Sequence, residues 1–141
     1  MNILILGSGA REHTFAWKIK QSPLCEKIYV ASGNAGTAQI AENVAISPLD
    51  FPALAEFCRQ KGIDLLIVGN EDPLVAGIRD FFKEQKGLEN LLMIAPSQKG
   101  AMLEGSKDFA KQFMFENQIP TAAYQTFEVE QIAEALQYIS N

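Results

Sequence analysis

Three short segments rich in glycine and polar residues are the places where this chain could do chemistry. They are residues 7–13 (GSGAREH), 33–37 (GNAGT) and 69–73 (GNEDP). A glycine turn between a strand and a helix presents backbone N–H groups and the positive end of the helix dipole to an anion. The same segments carry a guanidinium, an imidazole, two amides and three carboxylates. This inventory suits a small phosphorylated sugar, with its phosphate on the backbone and Arg11 and its hydroxyls or amine on the carboxylates.

Each segment also has a simpler interpretation. Arg11 and Glu12 are then exposed helix charges, and Asp72 caps the helix that follows it. His13, the one histidine, is then a surface or capping residue. A dinucleotide site is disfavoured because Glu12 stands at the third glycine position of G-x-G-x-x-G. The run at 30–32 (VAS) also ends without the acidic residue that binds ribose hydroxyls, so the sequence argues against NAD or FAD.

The elements that must position these segments alternate between short apolar runs and helical patterns up to residue 96. Runs that are apolar on both faces are typical of a parallel sheet covered by helices on both sides. We therefore predict an α/β, doubly wound, mostly parallel sheet, in which the glycine segments share one edge. The predicted strands are 2–6, 27–31, a weak one at 44–46, 64–68 and 91–94. The predicted helices are 10–21 with Phe15, Trp17 and Ile19 as apolar positions, one from Ser47 or Asp50 to Gly62, and one from Pro73 onward.

The pattern changes after Pro96. We predict helices at 97–103 and 106–117, an extended piece from 119 to 127, and an amphipathic helix at 128–139 with Ile132, Leu136 and Ile139 inward. The predicted domains are therefore 1–96, a substrate-binding α/β domain, and 97–141, which contains linker helices and is too small to have its own core. Residues 97–141 either pack on the first domain or form the truncated beginning of another one.

Composition excludes several function classes. Twelve Lys and Arg against seventeen Asp and Glu give a net charge of −5, which disfavours sequence-independent nucleic-acid binding. No apolar run is long enough to span a bilayer, and the first residues have no signal-peptide flank. Cys25 and Cys58, with one histidine, make neither a disulfide framework nor a zinc set. We expect a cytoplasmic protein with no nucleic-acid or membrane partner and no metal ligands in this part of the chain.

Four motifs in order resemble the glycinamide ribonucleotide synthetase family, the phosphoribosylamine–glycine ligases of the ATP-grasp superfamily. They are residues 7–13, 33–38, 69–74 and 95–111, and the IPTA of 119–122 follows. The chain departs from the family's usual residues at a few turn positions, which are Ser8, Ala10, Ser32, Asn70 and Ala95.

The resemblance implies a Rossmann-like domain that precedes an ATP-grasp domain. It also implies that ATP activates glycine as glycyl phosphate and that the amine of 5-phosphoribosylamine attacks it, giving glycinamide ribonucleotide, ADP and phosphate in de novo purine synthesis. ATP and Mg²⁺ or Mn²⁺ would be bound mainly by parts of a monomeric parent enzyme that lie past residue 141. The chain alone is expected to bind phosphoribosylamine and to be inactive, with no catalytic residue of its own.

The resemblance also implies a set of site residues. The phosphate would lie at the 7–9 turn, the 33–37 segment would line the pocket, and the 71–72 carboxylates would position ribose hydroxyls or the amine. Lys107 is the candidate for contact with the ATP phosphates. The implied phosphoribosylamine site comprises Gly7, Gly9, Arg11, Glu12, His13, Gly33, Asn34, Gly36, Thr37, Glu71 and Asp72.

Two other classes of function remain open from the residues. One is another ATP-grasp ligase or carboxylase of purine metabolism, against which the Arg-Glu-His of 11–13 together with the turn at 33–36 favours the glycine ligases. The other is a flavodoxin-like module that binds no small molecule. A phosphoacceptor receiver is disfavoured because the first strand ends Leu6-Gly7 with no acidic pair.

Overall fold

The computed structural model describes residues 1–140. The chain forms two compact units, one of Met1–Gly105 and a second that begins at Ser106. The first unit extends past the predicted boundary at residue 96 because the helix over Gln98–Gly105 packs against the helix over Glu71–Val75.

The first unit is built on five parallel strands. They are β1 (Asn2–Gly7), β2 (Lys27–Ser32), β3 (Glu42–Val44), β4 (Leu65–Val68) and β5 (Leu92–Ile94). Their order in the sheet is β3-β2-β1-β4-β5, with β1 in the centre. The helices are α1 (Ala10–Ile19), α2 (Phe51–Lys61), α3 (Glu71–Val75), α4 (Ile78–Lys83) and α5 (Gln98–Gly105).

The core lies on both faces of this sheet. Leu4 of β1 packs with Leu54 of α2 and Ile78 of α4, and all three are fully buried. Ile5, the next residue along β1, belongs to the opposite face and packs with Ala16 of α1. Because side chains alternate along a strand, a strand buried on both faces must be apolar throughout. The predicted α/β class, with a parallel sheet between helices, is confirmed.

Helix α2 has the caps that its sequence predicts. The Asp50 carboxylate accepts a hydrogen bond from the Ala53 N–H at 3.1 Å, so Asp50 rather than Ser47 is the N-cap. Gly62 ends the helix in the left-handed conformation, at φ 57°. These caps fix where the chain leaves β3 and enters β4.

Two predicted elements were wrong in detail. The weak strand predicted at 44–46 lies instead at Glu42–Val44, where it pairs with β2. The single helix predicted from Pro73 is two helices, because Gly77 adopts φ 87° between α3 and α4. A left-handed residue ends the hydrogen-bond ladder of a helix, and glycine adopts that conformation without steric cost.

The buried face of α1 does not contain the aromatic residues of this helix. Phe15 and Trp17 are apolar positions of the predicted helical pattern, yet Trp17 is 56% exposed and Phe15 lies at the surface. The residues of α1 that are buried are Glu12 and Ala16. Ala16 has no side chain beyond Cβ, so the helix backbone approaches the sheet closely. Phe15 and Trp17 point away, whereas Ile19 is partly buried and packs against the core.

The second unit contains α6 (Lys107–Glu116), a 3₁₀ turn (Val129–Gln131) and α7 (Ile132–Ile139). Ser106 caps α6 by accepting a hydrogen bond from the Phe109 N–H at 3.2 Å. The Lys111 ammonium donates to the Thr121 hydroxyl at 2.6 Å and to the Ala122 carbonyl at 3.0 Å, which holds the extended piece beside α6.

The inward orientation predicted for the apolar residues of α7 is wrong. Ile132, Leu136 and Ile139 are all more than half exposed. Their spacing gives α7 an apolar stripe, but no other part of the described second unit covers it. In the described part of the chain, residues 1–140, no helix has the length and apolar character needed to cross a membrane.

The two cysteines differ in environment, and this difference is testable. Cys58 lies on the buried face of α2, and burial raises the pKa of its thiol to about 12, whereas Cys25 is half-buried. Only the thiolate reacts with disulfide reagents. At pH 8 we therefore expect Cys25 to react with Ellman's reagent in the native protein and Cys58 to react only after denaturation.

Single Cys25→Ser and Cys58→Ser variants assign each reacting thiol. Fast native labelling of the Cys25→Ser variant would show that Cys58 is not protected by the core.

Candidate functional site

A cleft of about 440 Å³ lies at the carboxyl ends of β1 and β4. From the central strand β1 the chain forms β2 and β3 on one side of the sheet. It then crosses to the other side of β1, where it forms β4 and β5. Ligands of open α/β sheets bind at such a switch point, beyond the carboxyl ends of the strands. The residues that line the cleft are Gly7, Ser8, Gly9, Ala10, Arg11, Glu12, Ser32, Pro48 and Asn70.

Another cavity, of about 410 Å³, lies beside the edge strand β5. Leu88, Leu91 and Met93 are among its lining residues, with Arg79 and Lys83 nearby. It has neither a glycine turn nor the N-terminus of a helix, so it lacks the converging polar groups that characterise a small-molecule site. The cleft at the strand ends is the better candidate.

The first glycine segment forms one wall of the cleft. Gly7 ends β1 at φ 129°, and Gly9 is the N-cap of α1. The N–H groups in the first turn of a helix have no acceptor within the helix, so those of Ala10 and Arg11 are available to an anion in the cleft.

Glu12 lies behind this wall and is buried, with only 4% of its surface exposed. Its carboxylate accepts a hydrogen bond from the Gly9 N–H at 2.6 Å. A Cβ atom on Gly7 would lie 2.6 Å from Glu12 Cδ, and one on Gly69 would lie 2.1 Å from Glu12 Oε1. The carboxylate therefore fills the space between the loops after β1 and β4, and Glu12 is not an exposed helix charge.

Arg11 joins the same two loops from the surface. Its Nη1 donates a hydrogen bond to the carbonyl oxygen of Gly69. The guanidinium carries five N–H donors in a planar fork, so the remaining N–H groups of this exposed side chain can bind an anion in the cleft.

The second glycine segment supports the first one. The Asn34 amide Nδ2 donates to the carbonyl oxygens of Ser8 at 2.9 Å and Gly9 at 3.2 Å. Its Oδ1 accepts from the N–H groups of Gly36 at 2.7 Å and Thr37 at 2.9 Å. Asn34 thus fixes its own turn and the α1 turn together, without lining the cleft.

Thr37 and Asn43 complete this support. The buried Thr37 hydroxyl accepts a hydrogen bond from the Asn34 N–H at 2.7 Å and donates one to Asn43 Oδ1 at 2.7 Å. The imidazole of His13 lies near Gly36, where a Cβ atom would be 3.5 Å from the ring. Sequence reasoning missed Asn43, whose role depends on β3 lying beside β2.

The third segment contributes a different residue from those predicted. Asn70 lines the cleft, whereas the side chains of Glu71 and Asp72 are exposed outside it. Glu71 lines a separate cavity of about 240 Å³ between α3 and α5. Lys107 is the exposed first residue of α6, in the second unit.

The structure thus separates the predicted site residues into two groups. Gly7, Gly9, Arg11 and Glu12 line the cleft, while His13, Gly33, Asn34, Gly36, Thr37, Glu71 and Asp72 do not. The lining residues that sequence reasoning missed are Ser8, Ala10, Ser32, Pro48 and Asn70. Ser8, Ala10 and Asn70 lie inside the glycine segments and could have been included for that reason. Pro48 carries no signal in the sequence.

No metal site accompanies the cleft in the described residues. Within 1–140, no group of three or more His, Cys, Asp and Glu side chains is placed to hold a metal ion. The polar groups of the cleft are backbone N–H groups, a guanidinium, a carboxylate, hydroxyls and an amide. This set of groups suits a ligand in which an anionic group is attached to an uncharged part that carries hydroxyls.

Comparison with known proteins gives consistent matches over the whole chain. Residues 1–104 match the family model described as phosphoribosylglycinamide synthetase, N domain. The chain is 50% identical over 141 residues to the phosphoribosylamine–glycine ligase of Haemophilus influenzae and 47% identical to that of Escherichia coli, covering 99% of this chain and 32% of each relative. A crystal structure of the Thermotoga maritima phosphoribosylamine–glycine ligase is similar with a TM-score of 0.65 and 26% identity, over 98% of this chain and 30% of that one.

The contact between Gly69 and Glu12 leads to a prediction about stability. A methyl group at Gly69 must displace either the Glu12 carboxylate or the Leu6 carbonyl oxygen, which would be 2.9 Å away. We expect Gly69→Ala to lower the free energy of unfolding by about 1–3 kcal/mol, as measured by urea denaturation.

The matched control is Gly100→Ala in α5, where the nearest atoms would be at an ordinary 3.4 Å. Since alanine favours helix over glycine, this variant should be neutral or more stable. Equal stability of Gly69→Ala and the wild type would show that the loops are not held by close packing.

Proposed function

Because the chain belongs to the phosphoribosylglycinamide synthetase N-domain family, we propose that it is the substrate-binding N-terminal part of a phosphoribosylamine–glycine ligase. The chain spans about a third of the length of the curated relatives, 32% for those from H. influenzae and E. coli, so the activity belongs to a longer enzyme. The observation that carries the assignment to this domain is the cleft at the switch point, where a glycine turn and the start of α1 meet an arginine.

The proposed ligand is 5-phosphoribosylamine, and its phosphate binds at the first turn of α1. The Gly9 N–H is already bonded to the Glu12 carboxylate, which also repels a phosphate placed against it. The phosphate therefore binds the N–H groups of Ala10 and Arg11 and the Arg11 guanidinium. The sugar then extends out of the cleft toward the start of α3, where the exposed Glu71 and Asp72 contact hydroxyls or the amine.

Residues of the second glycine segment act indirectly in this proposal. Asn34 holds the α1 turn in place through its bonds to the Ser8 and Gly9 carbonyl oxygens, and Thr37 holds Asn34 through the hydrogen bonds between these two residues. Gly33 and Gly36 leave room for these contacts, since a Cβ atom on Gly33 would lie 2.2 Å from Asn43 Oδ1. Together with His13 they determine the shape of the site.

The chemistry of the whole enzyme proceeds in two steps under this proposal. The glycine carboxylate attacks the terminal phosphorus of ATP, releasing ADP and forming glycyl phosphate. The amine of phosphoribosylamine then attacks the glycyl carbonyl, loses a proton and expels phosphate, which leaves the amide of glycinamide ribonucleotide. We place ATP and Mg²⁺ or Mn²⁺ mainly outside residues 1–140, with Lys107 as the one proposed ATP contact here.

Titration with ribose 5-phosphate tests the cleft as a sugar-phosphate site. A ligand at 100 times its dissociation constant adds about 2.7 kcal/mol of stability, so a thermal-shift assay detects it readily. We expect ribose 5-phosphate to raise Tm, NAD to have little effect, and Arg11→Met to weaken the response to the sugar phosphate.

The matched control is Arg59→Met in α2, whose guanidinium contacts Lys86, Glu56 and Gln85 away from the cleft. This variant should respond as the wild type does. Stabilisation by NAD in place of ribose 5-phosphate would contradict the proposed substrate class.

We assign substrate binding to this chain and ATP binding mainly to other parts of the enzyme. This proposal predicts that the 141-residue chain does not catalyse the ligase reaction by itself. We expect no glycine-dependent release of ADP when it is given ATP, Mg²⁺, glycine and phosphoribosylamine formed in place from ribose 5-phosphate and ammonia. A full-length relative, such as the E. coli enzyme, serves as the positive control. Turnover by the chain alone would mean that the catalytic groups lie within these residues.

A further inference from the structure

Asn70 is the one residue from the loop after β4 that lines the cleft. Its side-chain oxygen Oδ1 is closed off from solvent and has no hydrogen-bond partner among the described residues. A buried acceptor without a donor loses the hydrogen bond that water gave it in the unfolded chain. Such groups are few in native proteins, and each one calls for a physical reason.

The reason lies in the sequence of α3. An asparagine at the N-cap of a helix usually accepts a hydrogen bond from the N–H of the second or third helical residue. The third residue of α3 is Pro73, which has no N–H, and the Asn70 side chain makes no capping bond. One of the two usual donors to this amide is therefore absent from the fold, and the other, the Asp72 N–H, is not bonded to it either.

The backbone beside Asn70 is nevertheless held firmly. The Gly69 N–H donates to the Leu6 carbonyl oxygen at 3.0 Å, and the Gly69 carbonyl oxygen accepts from Arg11. The Cα of Asn70 is thereby fixed opposite the first turn of α1, across the cleft. Its amide can change orientation by rotation about the two side-chain bonds while this backbone stays in place.

We propose that Asn70 is a specificity residue whose amide oxygen turns into the cleft and accepts a hydrogen bond from a hydroxyl or amine of the bound sugar phosphate. This inference rests on the proposed function. Ligand binding exchanges an unsatisfied buried oxygen for a paired one. The partner must be a donor such as a hydroxyl or an amine, which the phosphate dianion is not. Asn70 therefore recognises the sugar, while Arg11 and the α1 turn recognise the phosphate.

Two probes and one variant separate these contributions. Asn70→Leu keeps a similar volume and removes the amide, and its affinities for ribose 5-phosphate and inorganic phosphate are measured by isothermal titration calorimetry. We expect about three- to tenfold weaker binding of ribose 5-phosphate, as for one lost hydrogen bond, and unchanged binding of phosphate. Asn90→Leu, at an exposed position of the same unit, is the matched control and should change neither affinity.

A second variant identifies the atom. Asn70→Asp keeps an acceptor oxygen and removes the N–H donors. Its added negative charge weakens the binding of both probes, because ribose 5-phosphate and inorganic phosphate are both anions. The affinity for ribose 5-phosphate divided by the affinity for inorganic phosphate should therefore stay near the wild-type ratio. A ratio as low as that of Asn70→Leu would overturn the role of the oxygen. If Asn70→Leu does not fold, the ratio for Asn70→Ala decides in its place.

The remaining outcomes are also distinct. A wild-type chain that binds ribose 5-phosphate, with an unchanged ratio in Asn70→Leu, overturns this inference and leaves the proposed function intact. A wild-type chain that does not bind ribose 5-phosphate overturns both. The free Asn70→Leu protein should be at least as stable as the wild type, because it no longer buries an unpaired oxygen; a large loss of stability would indicate a purely structural role.

Discussion

The buried carboxylate of Glu12 is the contact on which the arrangement of the cleft depends. It accepts the Gly9 N–H and occupies the space that side chains at positions 7 and 69 would fill. A carboxylate in the first turn of a helix is stabilised by the unpaired N–H groups and the dipole there, which offsets part of the cost of its burial. The loops after β1 and β4 are therefore packed against one side chain, and both must be glycine where they touch it.

This contact also restricts what the cleft can bind. In a dinucleotide site the third glycine lets the helix pack closely while the pyrophosphate approaches the turn. Here Glu12 stands at that position, takes the Gly9 N–H and adds a negative charge behind the turn. Under the proposed function, a single phosphate binds farther along α1, where Arg11 compensates the charge. A pyrophosphate that spans the turn would meet the carboxylate.

The class of fold and the position of the glycine segments at one edge of the sheet could be predicted from the sequence, because apolar runs, glycine turns and caps such as Asp50 are local signals. The orientation of α1 could not, since the packing of Ala16 against the sheet, rather than the size of Trp17, determines which face is buried. The break at Gly77 was missed because a single glycine in a helical pattern has several interpretations. The lining role of Pro48 depends on the path of the chain between β3 and α2, which no motif encodes.

The three glycine segments share one edge of the sheet, yet the residues of their motifs have different structural roles. Asn34 bonds the second segment to the first, Arg11 bonds the first to the third, and the Glu12 carboxylate packs against Gly69 of the third. A substitution in any segment therefore alters the cleft through these bonds, even where the side chain lies outside it. Residues that a motif singles out are in this case often those that fix the loops relative to one another. The residues left to meet a ligand directly are fewer, and one of them, Asn70, is identified by the hydrogen bond it lacks.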